Sequence, residues 1–152
     1  MTQFRFSLER VLELRRVQLQ AEEEKLARLQ QQLEGIDQRV NAISSTELKS
    51  EWALRKMPAV AASDLHTLSD FQARVRKVQA TLAVQKQQIT KEIQAQRARL
   101  LNARKEFRVI EKLKERRFKV WQYQADREIE GLAADAHNSK LIRLREDELE
   151  MH

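Results

Sequence analysis

The sequence predicts an all-α protein in which two long helices form an antiparallel coiled-coil hairpin. The 152 residues include only two glycines and one proline, so tight turns are scarce. Charged residues make up 34% of the chain and aromatic residues only 5%. Gln, Glu, Lys, Arg, Leu and Ala dominate, and these residues lose little side-chain freedom in a helix. A β-sandwich, a barrel or a glycine-rich nucleotide-binding fold would need more turn residues.

One break divides the predicted helices. Pro58, the only proline, disfavours helix at the residue before it, and small residues follow it. We therefore expect a first helix over about 7–54, with Ser7 as its N-cap, and a bend over 55–63. The second helix should run over about 64–145, with Ser63 or Asp64 as its N-cap. Because the break is short, the two helices should fold back on each other and form a single elongated domain, 1–152.

Apolar residues on both helices follow the spacing of a coiled-coil seam. On the first helix the seam includes Leu8, Leu12, Leu19, Leu26, Leu29, Leu33, Ile36, Val40 and Ile43, interrupted by Arg15 and Glu22. On the second helix it reads Phe71, Val75, Val78, Leu82, Gln85, Ile89, Ile93, Gln96, Leu100, Ala103, Phe107 and Ile110. Two successive four-residue steps from Gln85 to Ile93 predict a stutter, where the supercoil should relax.

Folding at Pro58 predicts that the numbers of facing residues add up to about 118. Val75 then meets Ile43, and Leu82 meets Ile36. In this register the N-terminal end of the first helix faces residues near 112 of the second helix. The second helix should therefore extend beyond the first one without a partner. That extension carries large apolar residues, which are either frayed or available to another protein. They are Phe118, Trp121, Tyr123, Ile129, Leu132, Leu141, Ile142 and Leu144.

The net charge of +6 is unevenly distributed. Residues 71–119 carry 15 basic and 4 acidic side chains, whereas residues 120–152 carry 4 basic and 8 acidic ones. The basic segment favours an acidic partner, and one alternative function is binding of nucleic acid or an anionic surface. Against nucleic acid, the basic residues lie on several helix faces and no recognised nucleic-acid module accompanies them. A solvated coiled-coil face explains the segment about as well.

The sequence contains no recognisable catalytic or metal-binding motif. There is no cysteine, and His66, His137 and His152 are too far apart to match a metal-ligand motif. No phosphate loop or nucleophile motif occurs. We therefore expect no enzymatic activity, no metal or cofactor and no small-molecule substrate. The chain also lacks an apolar run long enough for a membrane span or a signal core, so it should be neither secreted by the general route nor membrane-spanning.

The N-terminal run Phe4-Arg5-Phe6-Ser7-Leu8-Glu9-Arg10-Val11-Leu12-Glu13-Leu14-Arg15 resembles the start of the flagellar FliJ family. The run Val109-Ile110-Glu111-Lys112-Leu113-Lys114-Glu115-Arg116-Arg117 is similar to a later segment of that family. The short break and the phenylalanine-bearing second helix also resemble the family's plan. The resemblance covers most of the chain.

The resemblance implies a cytoplasmic component of the flagellar type III export apparatus, with a role in flagellum biogenesis and hence chemotaxis. Its fold would be similar to the central stalk of rotary ATPases. Its partners would be the export ATPase hexamer, the export gate membrane protein and the export chaperones, at the inner face of the cell membrane. The YscO-type stalk of virulence secretion systems is a close alternative. A monomer or weak self-association is expected.

The resemblance also implies two sets of contact residues. The export-gate contact maps to Phe71, Val75, Val78 and Leu82. The predicted register instead buries the last three of these in the seam, against Ile43, Val40 and Ile36, and leaves Phe71 partly exposed. The ATPase contact is expected at an aromatic group near the open end of the hairpin, Phe4, Phe6, Phe118, Trp121 and Tyr123. The alternative there is mutual packing, with Phe4 over Leu113 or Lys114.

Overall fold

The computed structural model describes residues 3–151 and contains two long helices over that range. Helix α1 spans Glu9–Arg55 and helix α2 spans Ala62–Glu150. Residues 56–61, which include Pro58, form the bend between them. The two helices pack against each other, which confirms the predicted all-α fold.

Helix α1 begins two residues after the predicted N-cap. The carbonyl oxygen of Leu8 accepts the first helical hydrogen bond, from the Leu12 amide, over 2.9 Å. Leu8 therefore holds the N-cap position. The hydroxyl of Ser7 instead accepts a hydrogen bond of 2.7 Å from the guanidinium of Arg117 on α2. Ser7 thus links the chain start to the second helix.

Helix α2 begins slightly before the predicted N-cap. The Ala61 carbonyl accepts hydrogen bonds from the amides of Asp64 and Leu65, so Ala61 is the N-cap. The Asp64 carboxylate accepts a hydrogen bond of 3.3 Å from the Ala61 amide. Asp64 therefore takes the third helical position, where an acidic side chain reaches back to the cap. Its charge there also complements the positive end of the helix dipole.

The chain divides into two compact units. The terminal unit contains residues 3–16 and 105–151, and the bend unit contains residues 17–104. Within each unit, a segment of α1 lies antiparallel to a segment of α2. In the terminal unit Lys114 Nζ lies 2.8 Å from Glu9 Oε2. In the bend unit Lys86 Nζ lies 2.7 Å from Asp37 Oδ1.

The seam predicted for α1 is present. Leu12 and Ile36 are buried, and the other apolar seam residues from Leu8 to Ile43 are half-buried. Arg15 and Glu22, which interrupt the apolar pattern, are half-buried as well. Their position on the packed face means that the seam continues through them without a break in the helix.

The seam of α2 differs from the prediction at one turn. Val75 and Leu82 are buried as expected, but Val78 is 46% exposed and the adjacent Gln79 is half-buried instead. Seven residues further on, Lys86 reaches the carboxylate of Asp37 on α1. The prediction of a buried Val78 was therefore wrong. Gln85 and Lys86 are both exposed, so the predicted stutter between Gln85 and Ile93 stays a prediction.

The register is displaced by about one turn from the predicted one. The residue numbers add up to 123 for the pairs Lys86–Asp37, Lys114–Glu9 and Gln72–Glu51, whereas the sequence predicted about 118. The long side chain of Gln96 reaches about one turn along α1 to Glu22, so this pair adds up to 118 within the same register. At the bend, Leu54 and Leu68 line the same cavity. The first residues of α2 therefore extend past the end of α1. They lie beside the bend residues, not beside α1. A bend with Pro58 at its centre would have given the lower value.

The unpaired part of α2 starts later than predicted. Phe4 contacts Phe118 and Trp121 of α2, and Phe6 and Ser7 contact Arg117. Ala125, one turn beyond Trp121, is 8% exposed. From Asp126 to Glu150 every residue is exposed. The expectation that the extension begins near Leu113 was therefore wrong by about three turns, because the non-helical N-terminal segment prolongs the packing beyond the start of α1.

Candidate partner-binding surfaces

Three aromatic rings meet in the terminal unit. The centroids of Phe4 and Phe118 are 5.2 Å apart with an interplanar angle of 81°, an edge-to-face contact. Trp121 lies 5.8 Å from Phe4 and stacks on Phe118 at 5.6 Å. Aromatic pairs at such distances attract each other beyond their buried area. The rings thus pack mutually, with Phe4 over Phe118 and Trp121 rather than over Leu113 or Lys114.

The other two aromatic candidates lie outside this trio. Phe6 is 8% exposed, and the guanidinium of Arg117 lies 5.7 Å from its ring centroid. Its burial makes it a core residue of the terminal unit. Tyr123 is 65% exposed, and the guanidinium of Arg127 lies 5.9 Å from its ring centroid. Of the five predicted residues, Tyr123 and Phe118 thus present the most aromatic surface to a partner.

The C-terminal extension, residues 126–150 of α2, carries apolar side chains in water. Ile129 and Leu132 continue the line of Trp121 and Ala125 at four- and three-residue steps, so the seam of α2 runs on past the end of its partner. Exposed fractions of the large apolar residues here lie between 46% and 79%. They are Ile129, Leu132, Leu141, Ile142, Leu144 and Leu149. A lone helix gains nothing by presenting these side chains to water.

A cavity of about 320 Å³ opens next to the bend. It is lined on one side by Leu54 and Met57 and on the other by Leu68 and Phe71, with Ser50, Asp64, Thr67 and Arg74 around it. Phe71 is half-buried in this position, as the sequence predicted. Its ring contributes to the cavity wall and is accessible from solvent.

The four gate-contact candidates are not equivalent. Val75 and Leu82 are 6% and 5% exposed and lie in the seam. Val78 is exposed and follows Phe71 by seven residues, which places both on one face of α2 two turns apart. Only Phe71 and Val78 are therefore accessible while the helices remain packed.

A polar contact lies inside the seam of the bend unit. Gln96 is 4% exposed, and its side-chain amide donates to the backbone carbonyl of Glu22 over 3.2 Å and to the Glu22 carboxylate. The hydrogen bond from Gln96 lowers the pKa of Glu22 below its ordinary value. Lys25 acts in the same direction, whereas partial burial opposes both. The charged form of Glu22 is thus the one that the fold favours.

No metal-binding group was found among the described residues: nowhere do three or more His, Asp or Glu side chains come close enough to hold an ion. His66 Nε2 lies 3.7 Å from the Asp70 carboxylate, one turn away on an exposed face.

The comparison with protein families decides the identity. A family model described as "Flagellar FliJ protein" matches residues 4–147, nearly the whole chain. The chain belongs to the FliJ family. The comparison with curated proteins and the comparison with solved structures each gave no match.

Membership gives this chain a role related to flagellar export in a family of non-enzymatic proteins. FliJ proteins are cytoplasmic components of flagellar export. Within residues 3–151 neither helix has a stretch apolar enough to cross a membrane. The family match thus confirms the resemblance seen in the sequence and leaves the partners and their contact residues to be proposed.

Proposed function

We propose that this FliJ protein acts as a stalk and coupling protein of the flagellar type III export apparatus, without chemistry of its own. The observation that carries the proposal is the C-terminal extension, which exposes six large apolar side chains between Ile129 and Leu149. Apolar side chains exposed in this number become stable when a second protein covers them. The proposed partners are the export ATPase hexamer, the export gate and the export chaperones.

The ATPase contact is assigned to the C-terminal extension together with the exposed edges of Phe118 and Tyr123. The ring contacts of Phe4 with Phe118 and Trp121 support this assignment, because they hold in place the segment of α2 from which the extension starts. A partner that surrounds the extension would meet a helix already held at its base. The entropy cost of ordering that base is then not part of the binding free energy.

A truncation after Ala125 tests the ATPase assignment. The described residues that it removes, 126–151, are all exposed, so the melting temperature of the remaining chain should change little. Stimulation of the export ATPase and co-purification with it should be lost. A matched control carries Leu14→Ala, which alters a 54% exposed leucine far from the extension in sequence. Full stimulation by the truncated chain would remove the extension from the mechanism.

The gate contact is assigned to the face of α2 that carries Phe71 and Val78. Val75 and Leu82 are no longer included among the gate-contact residues, because they are buried in the seam and inaccessible to a partner. The cavity beside Phe71 supplies an apolar recess for a side chain of the gate protein. Arg74 at its rim supplies a charge for orientation.

The gate assignment is tested by Phe71→Ala and Val78→Ala in a binding assay with the gate protein. Both should weaken binding with little change in melting temperature. Val84→Ala is the matched control, since Val84 is 64% exposed on another face of the same helix. Equal weakening by Val84→Ala would show that the contact is unspecific. A large loss of stability on replacing Phe71 would return that residue to the core.

A further inference from the structure

A row of cations follows the outer face of α2 in the terminal unit. The five residues are exposed and follow each other at steps of three, four, four and three; they are Lys105, Arg108, Lys112, Arg116 and Lys119. At about 100° per residue they fall within an arc of about 80°, opposite the face that packs on α1. The row is about 21 Å long at the rise of an α-helix. We call it the basic row.

The basic row differs from Lys114 and Arg117 of the same segment, which have partners on the N-terminal part of the chain. Lys114 pairs with Glu9, and Arg117 contacts Ser7 and Phe6, so these cations hold the terminal unit together. Among the described residues, none of the five members of the basic row forms an ion pair, a hydrogen bond or a ring contact through its side chain. Stabilisation of the fold therefore does not account for them.

The shape of this face restricts what can bind. It is the convex side of a helix, whereas small anionic ligands bind in concave sites that surround them. An extended ligand is needed to touch all five cations. Bases of single-stranded nucleic acids usually stack on several successive aromatic side chains, whereas the basic row carries none and is followed on its face by one exposed aromatic residue, Tyr123. The flanking exposed residues Val109 and Val120 are small and aliphatic.

We propose that the basic row binds the surface of a bilayer that contains anionic lipids. Clusters of four to eight Lys and Arg on one helix face are typical of such binding, and each cation near the surface contributes additively. Val109 and Val120 lie beside the row and contact the boundary between headgroups and acyl chains. The five aliphatic stems reach the headgroup layer without deep insertion of the helix.

Acidic residues set the limits of this surface. Glu111 and Glu115 lie at one edge of the basic row, and Asp126 and Glu130 follow it on the same helix face. Repulsion from anionic headgroups keeps the C-terminal extension off the bilayer and available to a protein. The lipid contact goes beyond the proposed function and does not depend on the ATPase or the gate.

Sedimentation with lipid vesicles tests the proposal on the purified full chain. Vesicles of phosphatidylcholine with about a quarter phosphatidylglycerol should bind the protein at low salt, and vesicles of phosphatidylcholine alone should not. Replacing all five residues of the basic row by Gln should lower the partition coefficient about tenfold or more. Raising the salt concentration should weaken the binding, since exposed charges are screened.

A control variant distinguishes the effect of the basic row from the effect of the net charge of the protein. Arg39, Lys49, Arg76, Lys77 and Lys91 are five exposed cations of the bend unit, and their replacement by Gln removes the same charge. This variant should keep at least half of the binding. Equal loss in both variants would overturn the proposal, as would binding to neutral vesicles. Stronger binding of double-stranded DNA, lost in the same basic-row variant, would overturn it in favour of nucleic acid.

Discussion

Gln96 on α2 donates two hydrogen bonds to Glu22 on α1, one to the backbone carbonyl and one to the carboxylate, inside an otherwise apolar seam. Gln96 is nearly fully buried, so an unsatisfied amide there would be costly. Only registers close to the observed one bring Glu22 within reach of it. A polar pair at a seam position specifies register at some cost in stability.

Replacing both partners by leucine should therefore stabilise the protein. Leucines at positions 22 and 96 would bury apolar area in place of the polar pair, which should raise the free energy of unfolding. Urea denaturation followed by circular dichroism measures this change. Gln96→Leu alone is the control, because it leaves the carboxylate of Glu22 without its amide partner and should gain less. A double variant less stable than the wild type would show that the pair is a net stabiliser.

The same pair predicts a pH dependence. Because the pKa of Glu22 is lower in the folded state than its ordinary value of 4.5, its charged form stabilises the fold above about pH 4.5. That contribution is lost as the pH falls through the lowered pKa. The free-energy difference between the wild type and Glu22→Gln should therefore shift in favour of the variant on acidification below pH 4.5. A difference that stays constant over this range would contradict the assigned hydrogen bond.

The contrast between two neighbouring leucines tests the packing of the terminal unit. Leu12 is 2% exposed and Leu14 is 54% exposed on the same helix. Leu12→Ala should lower the free energy of unfolding by about 2–4 kcal/mol, since it removes buried methyl groups and leaves a cavity. Leu14→Ala should stay within about 0.5 kcal/mol of the wild type. Thermal unfolding of both variants gives the comparison, and similar losses would contradict the assigned face of α1.

Much of the fold was predictable because α1 repeats apolar residues with little interruption. Its alternating steps of three and four placed Leu12 and Ile36 on the packed face, and both are buried. The second helix was harder to predict, because the polar Gln79 is half-buried at a seam position that hydrophobicity alone assigns to Val78. Gln79 precedes the buried Ile93 by two heptads, so a strict spacing by seven would have indicated it. The apolar pattern wrongly predicted that Val78 is buried, because a valine next to a seam position cannot be distinguished from a core residue by hydrophobicity alone.

The candidate sites were predictable by residue type more than by geometry. Phe4, Phe118 and Trp121 were expected at one end of the hairpin and do meet there. The non-helical segment that brings Phe4 onto α2 has no periodicity, so the sequence could not show how far it extends. The basic row could not be predicted from the sequence. Cations of α2 that have a partner can be distinguished from those without one only when the facing residues of α1 are known.

The most direct test of the account is the register of the bend unit. The sequence contains no cysteine, so a pair of introduced cysteines reports without background. The observed register places Val40 near Leu82, and a disulfide needs Cα atoms about 4.4–6.8 Å apart. The variant with Val40→Cys and Leu82→Cys should form an intramolecular disulfide under mild oxidation, and the variant with Val40→Cys and Val78→Cys should not. The reverse result, or disulfides that form only between molecules, would contradict the antiparallel register on which the assignments of Phe71 and Val78 depend.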